Sequence, residues 1–402
     1  MKFIHFADAH LDSPFRGLSF LPSNAFNQIA SSTDQSLSKI VDIALNEQVD
    51  LVLIAGDTFD SNHPSPRSQL FFAKEIKRLT DAEIQVVMIF GNHDHMSEKD
   101  LLVNQSPYFK LLGPNEKVES ASFTTKSGFK YDVIGFSYLN NHILTDKIAE
   151  FPQKSSNFTI GIMHAQEKTD QAAHDVYAPF EVKDIKELNY NYFALGHIHL
   201  RQNVSENPWI VYPGNIQGRH INELGEKGCY LGIIDENSNQ VKLEFKKTGP
   251  IVWKSQELIL NHELSKSDLS DLILQNLKAT QTTYFSLQIN GAQLLTEEEL
   301  ELVQDTDFWQ NISMQLENNS QLVNVRLKIS SKLSLNSSDQ AAFDQAFNEV
   351  FSVNEFGKFS KDWQKKDRLA EKFANDSDFL KEVENLAKVK MGNELKGIID
   401  ET

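Results

Sequence analysis

The 402-residue chain predicts an α/β fold in which two sheets are layered between helices, followed by a small α+β module and a helical tail. Three observations predict it. Short apolar runs recur from residue 1 to about 250. Helical spacing fills the gaps between the earliest of them. After Gly249-Pro250 the pattern restarts as β-α-β-α-β.

The runs Phe3–Ala7, Leu51–Ala55 and Val86–Phe90 read as buried strands. Gln35–Glu47 and Ser68–Thr80 carry helical spacing between them, and Pro66 stands near the start of the second helix, where proline is tolerated. Later strands lie closer together: Tyr131–Phe136, Phe158–Met163, Tyr192–Leu195, Trp209–Tyr212 and Cys229–Ile234. Their short connections predict hairpins and loops in place of helices. Beyond residue 250, Val252–Leu260 reads as a strand and Ser267–Ala279 as a helix with serine near its N-cap. Tyr284–Asn290 and Leu322–Ile329 alternate as strands, and Thr296–Glu317 reads as a helix interrupted after Trp309. Ser331–Ser338 is a linker by composition. The expected organisation is therefore a first domain over 1–249, a β-α-β-α-β module over 250–332 and a charged helical region over 339–402. That last region carries the apolar anchors Phe343, Phe347, Val350, Phe356, Trp363, Leu369, Phe373, Phe379, Val383 and Leu386.

A composition of 40% hydrophobic and 24% charged residues is that of a globular protein. No apolar run is long enough for a membrane span, and the N-terminal segment reads as a strand rather than a signal segment. The single cysteine, Cys229, excludes an internal disulfide framework, suits a reducing cytoplasm and removes thiolates from any metal site. The net charge of −17 opposes global attraction to nucleic acid. It does not exclude nucleic acid, because a bound metal pair makes a local positive field in an acidic protein and a partner could supply the basic surface.

Five motifs stand where apolar runs end, the place where open α/β sheets put their active sites. They are Asp8-Ala9-His10, Gly56-Asp57, Gly91-Asn92-His93-Asp94, His164 and Gly196-His197-Ile198-His199. Side chains two residues apart in an extended segment point to one side, so Asp8 with His10, and His197 with His199, are expected to reach a common cluster. Asp57 is the expected bridge, since a carboxylate has two oxygens. Asp8, His10, Asp57 and His199 then hold one ion; Asp57, Asn92, His164 and His197 hold the other. Two divalent cations less two carboxylates leave an excess of about two positive charges, which suits phosphoesters. Ions roughly 3.5–4 Å apart can clamp the attacking and leaving oxygens of an in-line displacement. Nitrogen and oxygen ligands fit Mn²⁺, Fe²⁺ or Zn²⁺, and the Irving–Williams order does not select manganese. His93 is expected to project beside the ions and protonate the leaving oxygen, with Asp94 orienting it through a hydrogen bond.

Taken singly these pairs are weak, because most such pairs are turns or caps; their order along the chain gives them weight. His5, His63, His95, His142, His174 and His262 have no such frame and read as structural. The loop Tyr212-Pro213-Gly214-Asn215-Ile216-Gln217-Gly218-Arg219-His220 has two readings: a carrier of Arg219 toward a phosphate, or a glycine-rich turn with solvated ends.

At these motifs the chain resembles the calcineurin-like metallophosphoesterase superfamily, and within it the SbcD-type DNA repair exonucleases. Phe6-Ala7-Asp8-Ala9-His10-Leu11-Asp12-Ser13-Pro14 carries much of the resemblance, as do Gly56-Asp57-Thr58-Phe59-Asp60 and Tyr212-Pro213-Gly214-Asn215. The stretch through Arg219-His220 looks most like the shorter YhaO-type branch. The resemblance implies a four-layer metallophosphoesterase sandwich and Mn²⁺-dependent hydrolysis of DNA phosphodiesters. It also implies a homodimer, a DNA-capping role for the α+β module, and an SMC-like ATPase that grips the C-terminal helices. The chain departs from some relatives at Asp60, where they carry histidine. Two other readings compete: a small-molecule phosphodiesterase or phosphatase of the same superfamily, which needs no cap, and a non-catalytic scaffold, which the full set of ligand-type residues disfavours.

Overall fold

The structure, a computed structural model, describes residues 1–168, 176–328 and 337–351, and beyond these residues 376, 379, 381, 383–388 and 391. The chain divides into two compact units, Met1–Trp253 and Lys254–Thr402. The division falls just beyond Gly249-Pro250 because Trp253 is buried and donates its indole N–H to the Gly218 carbonyl at 2.7 Å.

The first unit holds two six-stranded sheets. Its strands are β1 (Lys2–Phe6), β2 (Leu51–Ala55), β3 (Gln85–Ile89), β4 (Phe109–Leu111), β5 (Glu119–Thr124), β6 (Lys130–Gly135), β7 (Phe158–His164), β8 (Tyr192–Gly196), β9 (Gln202–Glu206), β10 (Trp209–Tyr212), β11 (Gly228–Ile234) and β12 (Val241–Lys247). Sheet one runs β12-β11-β1-β2-β3-β4 and sheet two β5-β6-β7-β8-β10-β9. From β1 to β4 neighbours are parallel, as are β6, β7, β8 and β10.

Three apolar cores hold these layers. Phe3, Leu51, Leu53 and Val87 of sheet one meet Tyr131, Ile160, Ile162 and Tyr192 of sheet two. The opposite face of sheet one packs on two helices, α2 (Ser32–Asn46) and α3 (Pro66–Asp81), which follow a shorter α1 (Ser23–Ala30). In α2 the buried positions Leu37, Ile40, Val41 and Ala44 form one helical stripe. Ser65 caps α3 and Pro66 occupies its first turn. Sheet two packs its outer face on loops and the short α4 (Val182–Glu187) through Phe136, Phe151, Phe180, Ile185 and Phe193. Central strands are thus covered on both sides, which is why they are continuously apolar.

The second unit contains β13 (Val252–Ile259), α5 (Lys266–Asn276), β14 (Thr283–Asn290), α6 (Glu297–Gln304), α7 (Thr306–Ser313), β15 (Gln321–Lys328) and α8 (Ser337–Val350). Its sheet order is β13-β14-β15, with β14 and β15 parallel. The helical break comes at Asp305, earlier than the expected position after Trp309. The Asp305 side chain accepts the Asp307 backbone N–H and so starts a new helix. Leu386 packs against this unit's apolar core. Of the tail anchors, Phe356, Trp363, Leu369 and Phe373 lie outside the described residues, as do residues 331–336 of the expected linker, whose last two residues, Ser337 and Ser338, instead begin α8. Among the described residues no helix is long and apolar enough to cross a membrane.

Candidate metal centre

All seven ligand-type residues gather where β1, β2, β3, β7 and β8 end. Asp8, His10, Asp57 and Asn92 come from sheet one; His164, His197 and His199 come from sheet two. Asp8, His10, Asp57 and His164 are almost fully buried. His164 Nε2 lies 3.0 Å from Asn92 Oδ1 and 3.4 Å from Asp57 Oδ2. His10 Nε2 lies 3.6 Å from the same Asp57 oxygen and 3.0 Å from His199 Nε2. His197 Nδ1 faces Asn92 Oδ1 at 3.1 Å, and Asp8 Oδ1 lies 3.9 Å from His199 Nε2.

The convergence does not come from strand alternation, as the sequence suggested. Asp8 (φ 53°), His10 (φ 44°), Asp57 (φ 50°) and His197 (φ 100°) have left-handed backbone. β1, β2 and β8 stop before these residues, and the backbone kinks there, whereas His164 is the last residue of β7. Such strain, which clusters at functional sites, persists only where the surroundings over-determine it. Here the loops tie one another down: Asp8 N donates to Gly56 O at 3.1 Å, His10 N to Asp57 O at 3.0 Å, and His197 N to the Asp8 carboxylate at 3.1 Å. The motif glycines make room. A Cβ on Gly91 would collide with the Asp57 carboxylate, and one on Gly56 (φ 89°) with the His164 ring.

The donor set fits divalent cations. His10 Nδ1 faces Asp60 Oδ1 at 3.0 Å, His199 Nδ1 faces Glu223 Oε1 at 2.6 Å, and His164 Nδ1 faces the Ala55 carbonyl at 3.0 Å. Acceptors at all three Nδ1 atoms favour a ring proton there and turn the three Nε2 atoms into one cluster. Burial pushes His10 down to about 4, with Asp60 opposing, and His197 down to about 3. Neutral imidazoles at neutral pH are what a metal needs. Burial would also lower His164, but the charge of Asp57 prevails and carries it to about 9. Asp57 is itself held well below the usual carboxylate range, since the facing His164 and His10 outweigh its burial.

His93 is exposed at the rim, its ring edge-on to His10 with centroids 4.9 Å apart. Its backbone N–H donates to Asp57 Oδ1 at 2.8 Å, and its Nδ1 lies 3.2 Å from the Asp60 carbonyl. The expected hydrogen bond from Asp94 to His93 is not formed. Asp94 is fully buried and accepts backbone N–H groups of Thr58 (2.7 Å), Gly91 (2.6 Å) and Phe59 (3.4 Å), so it braces the two loops instead. Asp94→Ala would strand these buried donors and is expected to lower stability by on the order of 3 kcal/mol. A urea midpoint equal to wild type would show that the loops are braced by other contacts.

The sequence reading missed Glu223, and it left Asp60 without a contact. Nothing in their spacing marks them, because both sit in polar loops and act through another side chain. Arg219 is part-buried rather than solvated, and its guanidinium pairs with Asp60 beside the cluster. Of the histidines read as structural, His5 is buried between the Tyr192 hydroxyl and the Leu195 carbonyl, and His174 lies outside the described residues.

The family described as calcineurin-like phosphoesterase matches residues 1–201. The chain is 38% identical over 259 residues to the metallophosphoesterase YhaO of Bacillus subtilis, covering 63% of this chain and 62% of that one. It is 26% identical to the DNA double-strand break repair protein Mre11 of Sulfolobus acidocaldarius, over 50% of each chain. A subunit of the nuclease SbcCD from Staphylococcus epidermidis is 23% identical over 76% of this chain and 83% of its own length. The chain thus spans only about half to three-fifths of the first two relatives. The matched span includes Asp8, His10, Asp57, Asn92, His164, His197 and His199, and the fold with the groups Asp8-His10-His199 and Asp8-Asp57-His164 implies divalent metal ions. With two sheets between helices and this cluster at their strand ends, the chain belongs to the calcineurin-like phosphoesterase family.

Proposed function

We propose that the protein is a Mn²⁺-dependent DNA exonuclease or endonuclease of the repair type, acting with an SMC-like ATPase. One observation carries the hydrolytic part: Asp57 Oδ2 stands between His10 Nε2 and His164 Nε2, with exposed His93 at the rim. Asp8, His10, Asp57 and His199 would hold one ion, and Asp57, Asn92, His164 and His197 the other. Two such ions supply Lewis acidity and charge neutralisation for in-line displacement at phosphorus. The chain's own residues supply position and a proton. Asp57 holds the His93 backbone through its second oxygen. The Asp60 carbonyl can only accept, so it keeps a proton on His93 Nδ1 and leaves Nε2 to deliver a second proton to the leaving oxygen. The names of the Mre11 and SbcCD relatives support DNA as the substrate.

Residues 250–332 would cap DNA, residues 339–402 would bind the ATPase, and the chain would act as a homodimer. Every site residue lies between Asp8 and Glu223. Ending the chain at residue 336 is therefore expected to spare hydrolysis of bis-p-nitrophenyl phosphate and to abolish capture of the ATPase in a pull-down. Captured ATPase would remove the tail from that role.

The net charge of −17 favours a second reading, a phosphodiesterase or phosphatase for small substrates. A turnover assay with Mn²⁺ separates the two, using labelled linear duplex, single-stranded DNA and bis-p-nitrophenyl phosphate. Cleavage of DNA that chelator abolishes supports the nuclease. Hydrolysis of the small diester alone, unchanged when the ATPase is added, supports the second reading.

A further inference from the structure

The two proposed ion positions have unlike surroundings. At one, both imidazoles rest on carboxylates: His10 on Asp60 and His199 on Glu223. At the other, His164 rests on the neutral Ala55 carbonyl, and the Nδ1 of His197 faces Asn92 Oδ1, itself a proposed ligand, with no carboxylate behind the ring among the described contacts. The ligands differ in the same sense. Asp8 and Asp57 bring two carboxylates to the first position, whereas the second shares Asp57 and adds a neutral amide.

Glu223 is built into the structure. It is 7% exposed and also accepts the Asn215 side-chain amide at 2.8 Å and the Arg219 backbone N–H at 2.6 Å; His220 Nε2 lies 3.3 Å away. Lys227 donates to the His199 carbonyl at 2.9 Å and pins the same corner from behind. Arg219, on this loop, holds Asp60. The run from Asn215 to Glu223 thus joins the supports of His10 and His199 into one clasp. Arg219 and Lys227 offset the two added negative charges, so the clasp acts through the hydrogen bonds that orient the two rings.

A carboxylate on an imidazole N–H makes the opposite nitrogen more basic and holds the ring in its ligating orientation, and loss of such a partner costs 10–100-fold in metal affinity. We infer that the two positions bind unequally: the one formed by Asp8, His10, Asp57 and His199 retains its ion, with Asp60 and Glu223 as positioning residues, and the one at Asn92, His164 and His197 exchanges. The protein would then rest with one ion and become active as the second binds, so its activity follows the supply of free divalent metal. This inference rests on the two-ion reading above.

Calorimetric titration of the chelator-stripped full chain with Mn²⁺ tests it. Two ions are expected in two steps, with dissociation constants at least about tenfold apart. Glu223→Gln keeps the size and removes the charge. It is expected to weaken the tight step by roughly 10–100-fold and to leave the weaker step in place. Asp60→Asn should act in the same way and serves if circular dichroism shows Glu223→Gln unfolded. Two ions of equal affinity, or a tight step indifferent to both substitutions, overturn the inference and leave the two-ion reading standing. No bound ion overturns both.

Discussion

Asp57→Asn is expected to leave a folded chain that holds neither ion and to reduce turnover by about 10³-fold or more. Asp57 is the residue whose one oxygen reaches toward both His10 and His164. Asparagine keeps its size but removes the negative charge and one of the two oxygens, so both ions lose a ligand together. Lewis-acid stabilisation is worth several kcal/mol, and each 1.36 kcal/mol is a factor of ten in rate. Elemental analysis of the dialysed variant reads the result directly. Loss of one ion with retention of the other would refute the bridging role.

His93→Ala separates metal from proton. The ring sits at the rim, and its contact to Asp57 is made by the backbone, which alanine keeps. Both ions should therefore remain. Turnover should fall by roughly 10²–10⁴-fold, the range for a lost general acid. A variant with wild-type turnover would remove His93 from the chemistry.

What the sequence revealed about the fold follows from where each strand lies. The strands read as apolar runs, β1, β2, β3, β11 and β6, β7, β8, β10, are the interior strands of the two sheets. The unread ones, β4, β5, β9 and β12, are the four edges. Edge strands face water, so Glu119–Thr124 and Val241–Lys247 alternate half-buried with exposed positions and carry no continuous apolar signal. The short α1 was also missed. The site divides similarly. The ligand-type residues were visible because they follow strands whose ends are easy to find. The backbone kinks that aim them, and the partners that hold them, were not. Asp94 shows the limit: adjacency to His93 suggested a contact, but its buried carboxylate serves the Thr58, Phe59 and Gly91 backbone instead.

The seven ligand-type residues straddle the seam between the sheets, four on one side and three on the other. The apolar layer of Phe3, Leu53, Val87, Ile160 and Tyr192 is therefore an alignment mechanism as much as a source of stability. Misplacement by about 1 Å can cost a reaction roughly 10²-fold. A repacked seam that merely slid one sheet over the other could still fold cooperatively and yet be inert. In this architecture, tolerance to core substitution is set by how far the sheets can shift before catalysis fails, well before the chain unfolds.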